Sequence, residues 1–210
     1  MHDQIDYAPL GIHRRQFTDT PDQQQAVRDH CLSMGTRMNR SAVTPSEWLW
    51  LEAACNARPH GRYLEIGVYR HVSTCAFIRA MMAPGNDATL TTCDLEYRFP
   101  RVAAKYPDIL ARWTKLTGSS LDVLPTLDAA EPFDVIFVDG LHSDLGVRSD
   151  TTQARRLLAP GGVIIWHDAN SPHTVRVVLE QMAPESMDFM SSNPDHCKGF
   201  LVYPKGWPDA

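Results

Sequence analysis

The sequence predicts an α/β chain: a doubly wound, mostly parallel sheet of seven strands, helices on both faces, and an antiparallel strand at the C-terminal end. Three observations carry this. From residue 62 onward, short apolar runs alternate with stretches whose apolar residues recur at three- and four-residue spacings, the alternation of a parallel sheet with crossover helices. The runs Val135-Ile-Phe-Val138 and Val163-Ile-Ile-Trp166 are apolar without a break, as strands covered on both faces must be. Finally, Tyr63-Leu-Glu65-Ile-Gly67-Val68 reads as a strand that ends at an acid, turns at a glycine and re-enters a helix near Ser73 and Thr74. Such a turn lets backbone approach a ligand closely and offers the free N–H groups of a helix start.

Taken in order, residues 1–20 are polar with little periodicity and read as a loose arm. Over 21–34, Pro21 and Asp22 precede Val27, Cys31 and Met34 at helical spacing, which predicts a helix. Residues 35–43 are a linker; Met34, Met38 and Arg40 could reach over a bound ligand as a lid. Thr44-Pro45-x-Glu47 is a capping box with proline in the first turn, so a second helix starts there, with Trp48, Leu51 and Cys55 on one face. The chain thus divides into an N-terminal arm and helix, 1–43, and a main domain, 44–210. Strands are expected at 62–66, 88–93, 113–117, 133–138, 162–166, 187–191 and 199–203. The stripes Phe77/Ile78/Met81/Met82, Val147/Thr151/Ala154/Leu158 and Val175/Val178/Met182 mark helices between them. The last two strands are separated only by the turn-like Ser191-Ser-Asn-Pro194-Asp195, so they should form an antiparallel, hairpin-like pair.

Composition bounds the function. At 210 residues, 43% of them apolar, the chain can bury one ordinary core. Acids outnumber Lys and Arg, 25 to 20, which argues against nucleic acid as the main partner. The five cysteines are scattered, odd in number and never in C-x-x-C spacing, as in a reduced cytoplasmic protein. No apolar run has the length of a membrane span, and the first residues lack a signal-peptide pattern. The expected partner is a small molecule, and the arm is available for a homodimer contact.

Chemistry gathers at the strand ends, where ligands sit in doubly wound sheets. The first strand ends at Glu65-Ile-Gly67, the second at Asp94, the third at Gly118-Ser119-Ser120, the fourth at Asp139-Gly-Leu-His142 and the fifth at His167-Asp168-Ala-Asn170. An acid such as Asp94 at the second strand's end can accept from a ribose diol. One glycine in 65–74, with no G-x-G-x-x-G and no G-K-[ST], suits a ribose-bearing cofactor without a pyrophosphate. Strand-end carboxylates Asp139 and Asp168 could together hold a hard divalent cation, with His142 placed to take a proton from a hydroxyl. Against this, Asp139 could serve only the cofactor and His142 could simply cap the next helix. Asp150 and Arg148 read as helix-face residues, Trp113 and Trp166 as core, and His60, His71 and His173 as loop residues.

These motifs resemble a class I S-adenosylmethionine-dependent methyltransferase, a Rossmann-like fold. The carriers are Leu64-Glu65-Ile-Gly67-Val68, Cys93-Asp94-Leu95, Phe133-Asp-Val-Ile-Phe-Val-Asp139-Gly and Leu158-Ala-Pro-Gly161-Gly162-Val-Ile-Ile. Within that family the chain is most similar to small, often magnesium-dependent O-methyltransferases of the macrolide-sugar and catechol types. The departure is His71-Val72, where such relatives usually carry glycine. The resemblance implies that Glu65, Gly67, Val68, Ser73 and Thr74 line the methionine and ribose end of S-adenosyl-L-methionine. It implies that Asp94 and Leu95 hold ribose and adenine, that Gly118, Ser119 and Ser120 meet the adenine, and that Asp139 lies near the sulfonium. It further implies Mg2+ or a similar cation on Asp139, Asp168 and Asn170, with His142 and Asp139 catalytic; His167 stands where relatives often have another acid.

The implied activity is O-methylation of a small hydroxylated acceptor such as a sugar, a phenol or a natural product. Its rivals are an N-methyltransferase, a non-catalytic S-adenosylmethionine-binding protein and a nicotinamide-dependent oxidoreductase. The strand-four motif is not the Asn/Asp-Pro-Pro-Tyr/Phe type of amide and nucleobase N-methyltransferases, and missing glycines disfavour a dinucleotide.

Overall fold

All seven expected strands form, and an eighth joins them. The computed structural model describes residues 13–16, 19–38, 43–96, 106–169, 171–191 and 199–206. The strands are β1 (His13–Gln16), β2 (Arg62–Ile66), β3 (Thr89–Asp94), β4 (Trp113–Thr117), β5 (Phe133–Val138), β6 (Leu158–Trp166), β7 (Asp188–Ser191) and β8 (Phe200–Tyr203). They make one sheet in the order β1-β7-β8-β6-β5-β2-β3-β4. Only β8 runs against the rest, antiparallel to both β6 and β7. The terminal pair is therefore antiparallel, as expected.

The eighth strand corrects the reading of residues 1–20 as a loose arm: His13–Gln16 pairs in parallel with β7. Nothing in its composition announces a strand. The pairing comes from β7, whose outer edge would otherwise present unpaired backbone groups.

The helices are α1 (Pro21–Ser33), α2 (Pro45–Asn56), α3 (Val72–Met81), α4 (Pro107–Ala111), α5 (Ser120–Val123), α6 (Asp144–Leu157) and α7 (Pro172–Gln181). Both α1 and α2 start on complete capping boxes, Thr20 with Gln23 and Thr44 with Glu47. Along the central strand β5, Val135 and Phe137 face one core, with α1, α2 and α3, while Ile136 and Val138 face the other, with α6 and α7. Trp48, Leu51 and Cys55 of α2 fill the first core with Val27 and Cys31 of α1.

Several single-residue expectations change. Met34 and Met38 pack into the first core rather than standing over a cleft, and Arg40 lies outside the described residues. Met82 ends the α3 stripe 41% exposed, because the helix stops before it. Leu158 begins β6 instead of closing the α6 stripe. Asp150 is not a solvated helix-face acid; it is buried, with the Cβ position of Gly140 only 2.5 Å from its Oδ2. His71 is buried too.

The chain order crosses over between β2 and β5, which are neighbours although β3 and β4 intervene in sequence. The crevice of an open α/β sheet lies at such a switch point. Backbone bonds continue past the strand tips there, from Asp139 N–H to Ile66 O (2.8 Å), Gly67 N–H to Cys93 O (2.9 Å) and His167 N–H to Val138 O (3.0 Å). The strand-end residues are thus held in register as rigidly as the strands.

Candidate active site

A cavity of about 440 Å³ opens over the β2–β5 crossing. That is the size of a small-molecule site. On the first-strand side it is lined by Ile66, Gly67, Tyr69, Asp94 and Leu95, at its far wall by Gly118, Ser119, Ser120 and Leu121, and on the other side by Asp139–His142 and Asp168. Asp94 and Asp168 therefore meet in one cavity.

The first side is mainly backbone. Gly67 has φ +85°, and a Cβ on it would overlap the Asp139 carbonyl oxygen, so glycine is required twice over. Beyond it, Tyr69 (φ 46°) and His71 (φ 61°) also take left-handed conformations, at positions without glycine. Holding non-glycine residues there costs about 1–3 kcal/mol per residue. The surroundings hold the turn in place. Thr36 donates to Arg70 O (2.7 Å), Trp48 Nε1–H donates to Val72 O (2.8 Å), and the His71 ring packs edge-on against Trp113 at 6.3 Å. Asp94 Oδ2 accepts from Val68 N–H (2.6 Å) and Tyr69 N–H (2.8 Å). Its Oδ1 accepts a long bond of 3.4 Å from Glu96 N–H. Ser119 caps the short α5 by accepting from Leu121 N–H, which fixes the far wall.

Glu65, Ser73 and Thr74 sit behind this turn, outside the cavity lining, and Val68 meets it through its N–H to Asp94. Glu65 is fully buried and accepts from Ser73 Oγ (2.5 Å) and Thr74 Oγ1 (2.7 Å). Burial pushes its carboxyl up to about 8 even though both hydroxyls pull it down. The three residues tie the end of β2 to the first turn of α3.

The second side is made of charged side chains. His142 Nε2 lies 3.4 Å from Asp139 Oδ1 and 3.2 Å from Asp168 Oδ2. Behind them His167, fully buried, places Nδ1 at 3.0 Å from Asp139 Oδ1 and 3.6 Å from Asp168 Oδ2. Its Nε2 is 3.6 Å from Glu47 Oε2, and Glu47 is itself buried. Asp168 takes φ 50°, which turns its side chain at the strand end. Burial alone would push the His167 imidazole down, but Asp139 and then Glu47 raise it well above its ordinary value. Burial would likewise raise Asp139, yet the His167 charge and the hydrogen bonds from both histidines hold it near 2. His142 is raised, chiefly by its hydrogen bond with Asp139.

Oxygens of Asp139 and Asp168 and a ring nitrogen of His142 all lie within 4.8 Å of one another, and that donor set fits a divalent cation. The cation set expected from sequence shares Asp139 and Asp168 with it. Asn170 lies outside the described residues, and His142 takes the third corner. Sequence reasoning missed Glu47, whose only visible signal was its place in a capping box.

A sequence profile described as a methyltransferase domain matches residues 64–169, half of the chain. The chain belongs to this methyltransferase-domain family. It is 24% identical over 150 residues to the O-methyltransferase hkm8 of Aspergillus hancockii, a match covering 69% of this chain and 58% of that protein. The chain therefore spans less than two thirds of the length of the first curated relatives it matches. The O-methyltransferase TomG of Streptomyces achromogenes, solved with SAM, superimposes with a TM-score of 0.62 at 21% identity, covering 90% of this chain and 92% of that one. The SAH-bound methyltransferase PaMTH1 of Podospora anserina gives 0.62 at 18%, covering 89% of each chain. These likenesses establish that this methyltransferase-family chain has the fold of those enzymes. Among the described residues no helix is long and apolar enough to cross a membrane.

Proposed function

We propose that the chain is an S-adenosyl-L-methionine-dependent O-methyltransferase acting on a small hydroxylated acceptor. The observation that carries this is a single cavity with a ribose-type acid, Asp94, on one side and an acid–histidine–acid cluster, Asp139, His142 and Asp168, on the other. Relatives named O-methyltransferases, and neighbours solved with SAM or SAH, support the same reading.

S-adenosyl-L-methionine would supply an electrophilic methyl group on a positively charged sulfur. Asp94 accepts from the ribose while its other oxygen holds the turn N–H groups. Leu95, Ser119 and Ser120 would flank the adenine, and Gly67 would leave room for the chain of the cofactor. Asp139 and Asp168 supply negative charge near the sulfonium. His142, half-exposed and bonded to both acids, takes the acceptor's proton as the methyl group moves. The protein otherwise contributes alignment of the two reactants. Mg2+ or a similar divalent cation held by Asp139 and Asp168, with His142 left to accept the proton, would orient the acceptor hydroxyl and lower its pKa.

The cavity rim favours an acceptor with an apolar body. Tyr69 and Leu141 line the cavity yet stand 60% and 63% exposed. No Lys or Arg lines it among the described residues, which disfavours an anionic acceptor. A phenol or an apolar natural product fits better than a charged sugar derivative.

Calorimetry with S-adenosylhomocysteine tests the cofactor assignment: binding is expected, and its absence refutes the reading. A labelled-methyl assay over hydroxyl and amine acceptors separates O- from N-methylation and from a non-catalytic binder. EDTA treatment followed by Mg2+ add-back tests the cation; full activity after EDTA removes it from the mechanism.

A further inference from the structure

A second chamber, of about 10 Å³, adjoins the acceptor side of the main cavity. That is room for one water and nothing larger. Gly140, Leu141 and His142 line both spaces, and Asp150 of α6, Thr174 of α7 and Trp166 of β6 line the small one. Asp150 and Thr174 are 1% and 3% exposed. Among the described residues no hydrogen bond reaches either carboxylate oxygen of Asp150 or the Oγ1 of Thr174. Trp166 does not serve them, since its Nε1–H is engaged with Thr151 Oγ1 at 3.0 Å. Burial pushes the Asp150 carboxyl up to about 6, and the nearby Ser120 hydroxyl offsets only part of that rise. Buried polar groups are almost always satisfied, by protein or by ordered water.

The two helices are braced on the solvent side. Arg148 reaches Glu180 at 2.6 Å, Thr152 Oγ1 meets Gln181 Oε1 at 3.0 Å, and Arg176 pairs with Asp144. On the inner side, Asp150 and Thr174 face one chamber. The helix α6 starts just after His142 and α7 just after Asp168, so a tie between them also sets how the two strand tips stand. We propose that the chamber is a binding site for one internal water, held between Asp150 and Thr174, which ties α6 to α7 and fixes the 140–142 tip from behind. A water suits this pair, because it can donate to the carboxylate and accept from the hydroxyl. The site stands on the chamber and its two side chains alone. Its effect on turnover rests on the function proposed above.

The test uses the full chain and three variants. Thr174→Val keeps the volume and removes one partner of the water. Asp150→Asn keeps an oxygen able to accept from it. Thr152→Val removes a hydroxyl between the same two helices on the solvent side. High-resolution crystal density shows what fills the chamber, and oxygen-17 relaxation dispersion counts long-lived internal waters in solution. Thermal midpoints report folding. Labelled-methyl turnover, beside S-adenosylhomocysteine calorimetry, separates rate from cofactor affinity.

The expected result is one density peak within about 3.2 Å of both Asp150 and Thr174 in the wild type. One long-lived water is lost in Thr174→Val and kept in Asp150→Asn and Thr152→Val. Turnover falls about 10-fold in Thr174→Val and stays within about two-fold in Thr152→Val, with S-adenosylhomocysteine affinity within about two-fold in both. An empty chamber in the wild type overturns the proposal. So does a peak ringed by six or more oxygens at about 2.4 Å, which is a cation, and so does a water that persists unchanged in Thr174→Val. If the water leaves and turnover holds, the water does not position the tip and that role is overturned. If no acceptor is methylated, the methyltransferase reading falls, and density and dispersion still decide the water site.

Discussion

The two sides of the cavity are built by opposite means. Around Gly67, Asp94 and Ser119 the wall is backbone, and its one carboxylate is engaged by N–H groups of its own turn. Around Asp139 and Asp168 the wall is charge, two carboxylates and two imidazoles, with a third carboxylate, Glu47, behind them. The first side depends on shape and should be damaged by any added atom. The second depends on compensation and should be damaged by losing one charged group, with little change of shape.

Gly67→Ala should have the largest effect, since its Cβ reaches the Asp139 carbonyl and strikes both sides together. The expected cost is about 3 kcal/mol or more, with loss of S-adenosylhomocysteine binding, read by urea unfolding and calorimetry. A stable variant with normal affinity would mean that the two sides do not share this contact.

Next, Asp94→Ala and His142→Ala should separate the sides. Asp94→Ala strips the acceptor from two turn N–H groups and should weaken S-adenosylhomocysteine about 100-fold, or ~3 kcal/mol. His142→Ala should leave that affinity within a few-fold and lower turnover by about 10²–10⁴. Equal losses of affinity in both variants would erase the distinction.

Glu65 sharpens the comparison from behind, because it is buried like Glu47 but faces the hydroxyls of Ser73 and Thr74 instead of an imidazole. Its carboxyl rises from the usual 4.5 to about 8, so the folded chain binds this proton more tightly than the unfolded chain does. Stability from this group is therefore full at low pH, falls as pH climbs through that window, and levels off above it. Glu65→Gln should flatten the slope measured by urea unfolding between those two values; an unchanged slope would show that Glu65 does not titrate there.

The smallest effect is expected at Tyr69, exposed and left-handed. Tyr69→Gly should relieve backbone strain and change stability by no more than about 1 kcal/mol, favourably or not at all, while raising the KM of an apolar acceptor. A marked loss of stability would mean that the turn is held by the Tyr69 ring and not by its backbone partners.

Much of this was legible because it is local. The capping box Thr44–Glu47, the glycine turn at Gly67, the acid tips Asp94, Asp139 and Asp168, and the unbroken apolar runs of β5 and β6 all lie within a few residues of what makes them recognisable. The same local logic failed at Asp150, whose helical spacing gave no hint that Gly140 would pack onto it. It also failed at His13–Gln16, where a neighbouring edge made the strand.

The sequence by itself determined the fold family, the order of helices and strands, and the residues that stand at strand tips, since hydrophobic period and turn chemistry act over short separations. Only the tertiary structure decided that Glu65 ties β2 to α3, outside the cavity lining, and that Glu47 stands behind His167. Those pairings depend on which helix start lands over which strand end. That follows from sheet order and from the packing of the two cores, and no spacing along the chain encodes it.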